Sequence, residues 1–361
     1  MHERTPLIRL ARRDDISKVN TWLIRLAALV VAIILGGLIF LIADANPFEA
    51  YGTMISGSLG KVSGLRMTAK IAVPLLTVAL ALAPCFKMRY WNIGAEGQIT
   101  IGAMCASFFA INCKDWPAPV LLIVMGVAAF IGGAIWSIIP AIFKAKWGTN
   151  ETLFTLMLNY IAIGIVAYLQ GGPWEGKPGS QIIPLFSSNA VLPKIGGVHI
   201  GWIIALLITV FMFVYMKFTK HGYEIAVMGE SENTARYAGM NVTKVTVRTA
   251  ALSGAIAGVA GFMICSGADM TLYSDIAGGV GFTAITVCWL AQLNPFAMIV
   301  ISVILAILTK GASSVQTALS VPSSISGIIT GILLLAMLGC EFFINYKMIF
   351  RSKSDHHKEV K

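Results

Sequence analysis

The sequence predicts an all-α, polytopic bundle of about ten membrane-spanning helices, and three observations carry that prediction. Charged residues make up only 12% of the chain and hydrophobic ones 57%, whereas a soluble domain carries about 25% charge. Mean hydropathy is +0.79. The apolar residues are gathered into blocks, many of them near the roughly 20 residues that a helix needs to cross hydrocarbon. Backbone groups in lipid must be satisfied within a helix or a closed barrel. Blocks this long, rich in Leu, Ala, Ile and Met, do not alternate as barrel strands do.

The first block, Trp22 to Ile42, follows Arg9, Arg12 and Arg13 and precedes Ala43-Asp44-Ala45, the layout of a secretory leader. It exceeds the roughly 7–15 residues of a leader's apolar core, so it reads as an uncleaved helix over 22–43. The second span, 67–86, contains Pro74 and Pro84, which kink helices, and Lys70, which either snorkels outward or faces a path. The third, 97–112, is short. The fourth, 118–143, carries Gly132 and Gly133, small residues that let helices approach closely. The fifth covers 151–171 and the sixth 199–217. The seventh, 247–266, repeats the small-residue device at Gly254, Gly258 and Gly261. The eighth and ninth, 279–293 and 295–310, are divided by Pro295, and the tenth covers 326–346. Because the third, eighth and ninth are short or merge with neighbours, nine and eleven spans are the alternatives.

Lys and Arg set the orientation. Ten spans with both termini cytoplasmic give an N-terminal segment over 1–21, one transmembrane domain over 22–346 with an inner loop at 218–246, and a C-terminal tail over 347–361. About 20 of the 27 basic residues then lie on or beside the cytoplasmic face, as the positive-inside rule expects. The net charge of +10 is therefore a topology signal, and nucleic-acid binding is not needed to explain it. The outer segment from Gly171 to His199 reads either as a surface that receives a partner or as a plain connector.

The chemistry of a soluble enzyme is missing from the sequence. The six cysteines are scattered and form no C-x-x-C or Cys/His cluster, so no metal, cofactor or disulfide framework is indicated. Gly57-Ser58-Leu59-Gly60-Lys61-Val62 resembles a P-loop, but Ile55 stands where its first Gly belongs and Val62 where Ser or Thr must hold magnesium. There is no H-E-x-x-H pair and no G-x-S-x-G elbow. Polar groups at membrane depth are costly and face the bundle interior. Asn92, Glu96, Gln98, Asn150, Glu151 and Asn159 are thus candidates either to line a path or to lock helix ends, with Glu96 and Glu151 suited to capping helix N-termini. Gly94-Ala95-Glu96-Gly97 opens a span running outward and Gly278-Gly279-Val280-Gly281 one running inward, an echo that suits an inverted repeat.

In the inner loop, Ser231 is placed to cap a short helix that runs through Ala238 and stops at Gly239. Asn233-Thr234-Ala235 followed by Gly239 resembles, in degenerate form, the EAA-x-x-x-G loop of ABC importer permeases. The resemblance implies an ATPase-coupling role for Glu232, Asn233, Ala235, Arg236 and Gly239. Asn233 stands where that loop carries Glu, which weakens the docking contact.

Arg89-Tyr90-Trp91-Asn92-Ile93-Gly94-Ala95-Glu96-Gly97-Gln98 resembles the F-N-I-G-A-E-G-Q signature of permeases in the branched-chain amino acid, ribose and nucleoside importer group, with Trp91 in place of Phe. Gly148-Thr149-Asn150-Glu151 leading into Leu153 to Ile161, the Ala251 to Gly261 helix, and Gly279-Val280-Gly281-Phe282-Thr283-Ala284-Ile285 resemble further segments of that group, in one consistent order from about 66 to 340. The N-I-G-A-E-G-Q form is similar to the nucleoside subgroup, whereas ribose-type permeases carry D-L-S-V-G. The resemblance implies the membrane subunit of a nucleoside importer in a bacterial plasma membrane, without an ATP site of its own. It also implies three partners: a cytoplasmic ATP-binding-cassette ATPase, a second permease (sister or identical) and an extracytoplasmic substrate-binding lipoprotein. The same architecture importing a simple sugar such as ribose or galactose is the alternative. An ion-coupled secondary transporter is the more distant one.

Overall fold

A computed structural model describes residues 8–12, 18–320 and 346–350, with scattered positions between 322 and 339. The chain divides into two compact units, one of residues 55–310 and one of residues 1–54 with 311–361. The tenth expected span, 326–346, lies mostly outside the described residues.

Helices stand at each of the other nine expected positions: α1 (Lys18–Ile42), α3 (Val62–Lys87), α4 (Ala95–Asn112), α5 (Ala118–Trp147), α6 (Glu151–Gln170), α7 (Gly201–Phe218), α10 (Val242–Met263), α11 (Val280–Leu290) and α12 (Pro295–Ala318). Between them lie α2 (Pro47–Leu59), α8 (Lys220–Glu230) and α9 (Glu232–Tyr237). The helical membrane bundle is therefore as expected, but the count of ten is not reached by length and apolarity. Among the described residues six helices are long and apolar enough to cross, or seven if α1 and α2, bent by 112°, form one broken span. The shortfall has local causes. Polar Glu96, Gln98 and Asn112 dilute α4, and a turn at Ala291–Asn294 ends α11 after 11 residues.

The larger unit is built around α10 and α3, each with 83% of its apolar window buried, against 22% for α5 and α6. Glycines make the close packing of α10 possible. A Cβ on Gly254 or Gly258 would run into the backbone of α5 at Gly133 and Ala129, and one on Gly102 into Gly258. This is small-residue packing, the means by which helices attract one another where lipid offers no hydrophobic drive. The Ser137 hydroxyl on α5 donates to Ala250 C=O at 2.7 Å. Beyond Met263 the helix widens into a π-turn, Ile264–Ala268.

In the smaller unit, Tyr51 on α2 donates to Ile33 C=O at 2.6 Å and meets Phe40 edge-on at 5.5 Å. The sequence reading has no strands here, yet β1 (Ile8–Arg12) pairs antiparallel with β4 (Tyr346–Phe350), Ile8 opposite Phe350. Both segments mix apolar and basic residues. A second two-stranded ladder, β2 (Lys194–Ile195) with β3 (Val198–His199), lies in the outer segment of the larger unit.

Candidate functional site

The turn from Arg89 to Gly94 cannot run as helix, because Arg89 takes φ +60° and residues 90–93 bond elsewhere. It folds back into the bundle. Asn92 is fully buried beside Ser253, the twelfth residue of α10, about 16 Å along the axis at 1.5 Å per residue. The start of α4 is therefore about halfway through the bundle, deeper than the cytoplasmic end where capping by Glu96 was expected.

Four of the six polar candidates converge there. Gln98 Nε2 donates to Asn92 Oδ1 at 3.1 Å, while Asn92 Nδ2 donates to Gln98 Oε1 at 3.3 Å and to Ser253 Oγ at 3.2 Å. Asn159, the ninth residue of α6, accepts from Gly97 N–H at 2.8 Å and donates to Ile93 C=O at 2.9 Å. Thr155, one turn earlier, accepts from Ile93 N–H at 3.2 Å. Asn159 thus satisfies backbone groups that the break in the helix leaves open, as does Asn92 Oδ1, which also accepts from Gly94 N–H at 3.0 Å, while Gln98 holds Asn92 in place.

Glu96 closes the junction from the other side. Its Oε1 accepts from Gly279 N–H at 2.6 Å and its Oε2 from Gly281 N–H at 2.8 Å. The two glycine-rich turns of the sequence echo are therefore in contact. Glu96 lies in the first turn of α4 and caps the first turn of α11, so the positive ends of both helix dipoles favour its charge. Gly279, at φ +80°, supplies the left-handed turn that a side chain resists. A Cβ on Gly281 would lie 2.5 Å from Glu96 N. Phe86, Trp91 and Trp289 stack alongside, with Trp91 and Trp289 centred 5.6 Å apart. This explains how an indole is accommodated at position 91.

Asn150 and Glu151 lie elsewhere. Asn150 caps α6 through Leu153 N–H at 3.2 Å, and Glu151 pairs with Lys144 at the end of α5, 2.8 Å away. Glu151 and Lys144 line a groove of about 520 Å³ together with Arg89, Tyr90, Lys146, Glu230, Glu232 and Arg236.

The loop 218–246 folds as two capped helices. Thr219 Oγ1 accepts from Gly222 N–H and starts α8; Ser231 Oγ accepts from Thr234 N–H and starts α9, as its position predicts. Gly239 at φ +75° turns the chain back. Ala235 is buried, while Asn233, Arg236 and Tyr237 are exposed and Arg236 pairs with Glu232 at 2.7 Å. Gly229 abuts the carbonyl of Lys87, seating α8 on the end of α3. Glu224 bonds Arg248 of α10 at 2.7 Å, and His221 lies 3.4 Å away. The Arg248 hydrogen bond, helped by His221, holds the Glu224 carboxyl below its usual range. The sequence reading missed this link. Its only signal was Glu224, one of two acids in α8, and one arginine within the first two turns of α10.

Residues 65–338 match the profile of a family described as branched-chain amino acid transport system / permease component. The glucose ABC transporter permease protein TsgB13 of Haloferax volcanii is 33% identical over 331 residues, 88% of this chain and 87% of that one. The guanosine ABC transporter permease protein NupP of Bacillus subtilis is 28% identical over 329 residues, covering 89% and 94%. The nucleoside ABC transporter permease protein NupB of Lactococcus lactis is 26% identical over 358 residues, covering 96% of each. The junction at Glu96 and the α8–α9 element both fall inside the matched residues.

Proposed function

Because the chain belongs to the branched-chain amino acid transport system / permease component family, we propose that it is the membrane subunit of an ATP-driven importer whose substrates are nucleosides. The observation that carries the reading is the family match over residues 65–338, with the N-I-G-A-E-G-Q turn inside it. Relatives named for guanosine and for nucleosides align with nearly the full chain. ATP is hydrolysed by a separate cytoplasmic ATPase, for which α8, α9 and the exposed Arg236 and Tyr237 are the docking element. A second permease completes the path, and an extracytoplasmic lipoprotein delivers substrate. Asn92, Glu96, Gln98 and Asn159 hold the broken helices that border the path.

A simple sugar is the second reading, favoured by the 33% identity to a glucose permease. Uptake of a labelled nucleoside by cells with and without this chain, in competition with unlabelled nucleosides, ribose, galactose and branched-chain amino acids, separates the two. Uptake that is lost with the chain and blocked only by nucleosides supports the first. Sugar uptake that depends on the chain, without nucleoside uptake, supports the second.

A further inference from the structure

Three spans of the larger unit, α5, α6 and α7, leave most of their apolar window uncovered, and the chemistry of the uncovered faces differs. On α5 between Ile123 and Ile135, and on α7 between Leu206 and Val214, every exposed side chain is Ile, Leu, Val or Phe. Lipid tails are as apolar as these side chains, so both faces can stand in hydrocarbon. On α6 the exposed face carries Met157, Tyr160, Ile161 and Tyr168. Tyr168 lies two residues from the end of the helix, where interfacial tyrosines belong. Tyr160 does not fit that pattern.

Tyr160 is the tenth of the 20 residues of α6, about 14 Å from its start at 1.5 Å per residue. It therefore stands at the middle of a span about as long as the hydrocarbon core is thick. It is 65% exposed, and among the described residues its hydroxyl has no hydrogen-bond partner. Its direction is fixed by the junction. Thr155, Asn159, Ala162 and Val166 form the buried edge of α6, and the Asn159 amide is pinned to Gly97 N–H and Ile93 C=O at 2.8 and 2.9 Å. At 3.6 residues per turn, Tyr160 points about 130° away from the middle of that edge. Polar groups at membrane depth face a protein interior or a water-filled cavity. The interior lies on the other side of the helix, which leaves the cavity.

Resting on the nucleoside importer reading above, we infer that Tyr160 is a substrate contact halfway along the translocation path, its ring stacking on the aromatic base and its hydroxyl bonding base or ribose. A tyrosine suits a site that must release what it binds. Its ring accepts any base, because every base has a π-face, and its hydroxyl adds a single polar contact. Asn159 is the positioning residue that aims it and touches no substrate.

The placement is tested in the assembled transporter in vesicles with Tyr160→Cys and, as the lipid-facing comparison, Ile131→Cys near the middle of α5. A charged, water-soluble methanethiosulfonate is the probe, and modification is read by mass spectrometry of the peptide around each position. Residue 160 is expected to react far faster than residue 131, and saturating nucleoside to slow it severalfold. Equally slow reaction at both positions overturns the contact, because lipid or the second permease then covers that face. Fast reaction that neither nucleoside nor sugar slows overturns it as well. Fast reaction slowed by ribose, galactose or glucose and not by nucleosides counts against the nucleoside reading and the base stack, while the placement in the path stands. A second arm separates ring from hydroxyl. Initial nucleoside uptake falls about tenfold in Tyr160→Leu, the size of one lost base stack, and about threefold in Tyr160→Phe, the size of one hydrogen bond. Thermal unfolding in detergent stays at the parent value in both. Parent-like uptake by Tyr160→Leu overturns the stack.

Discussion

Among the described residues no Lys or Arg pairs with Glu96; its charge is met by backbone N–H groups at the start of α11. Removing the carboxylate leaves two buried donors open, each at about 1–3 kcal/mol. Glu96→Ala should therefore lower the stability of the purified protein by about 3 kcal/mol and Glu96→Gln, which keeps one acceptor, by about half that. Thermal unfolding in detergent reads the difference; equal losses would mean the amide contacts are not formed. Asn159→Ala should behave like Glu96→Ala, since it opens Gly97 N–H and Ile93 C=O together. At this scale the sequence revealed which side chains matter, because amides and carboxylates are expensive at depth. It did not reveal their partners. Glu96 meets amides 183 and 185 positions away, and a backbone donor leaves no mark in a sequence. Ser253 and Thr155 looked like ordinary helix hydroxyls, which usually bond their own preceding turn.

Helix contacts carry the next set of expectations. Gly281→Ala forces a Cβ against the backbone of Glu96, whereas Gly164→Ala on α6 meets nothing within 4 Å. Uptake should fall severely in the first and persist in the second, where Ala also favours helix by about 1 kcal/mol. The α8–α10 link gives a pH dependence with a definite sign. Folding depresses the Glu224 carboxyl below its ordinary 4.5, so the stabilisation is present above that value and is lost as pH falls through the folded value. A spin label at Tyr223→Cys should gain mobility as pH drops from about 6 to below 4, and Glu224→Gln should make it mobile throughout. Mobility independent of pH in the parent would remove the pair from the account. The α9 helix was legible because Ser231 and Gly239 are explicit start and stop signals. By contrast, α2 begins at an Asn46–Pro47 cap that resembles a loop turn, and the β1–β4 ladder depends on partners more than 330 residues apart, with Ile8 opposite Phe350.

Across the whole molecule, apolar blocks made the helical bundle readable, because it follows from the cost of moving charge and open backbone into lipid, and the basic loops set the orientation that is expected of it. The depth of the α4 start was not readable: a helix that begins halfway through a bundle has the same composition as a short span. Reporter fusions at both ends should register on the cytoplasmic side, consistent with tails that pair as β1 and β4; opposite sides would require an odd number of crossings. The central claim is tested most directly by reconstituting the permease pair with its ATPase and lipoprotein in vesicles and measuring uptake of a labelled nucleoside with and without ATP. The account predicts uptake that requires ATP, ATPase and lipoprotein together and is blocked by unlabelled nucleosides. Uptake by this chain alone, driven by an ion gradient and indifferent to ATP, would contradict it.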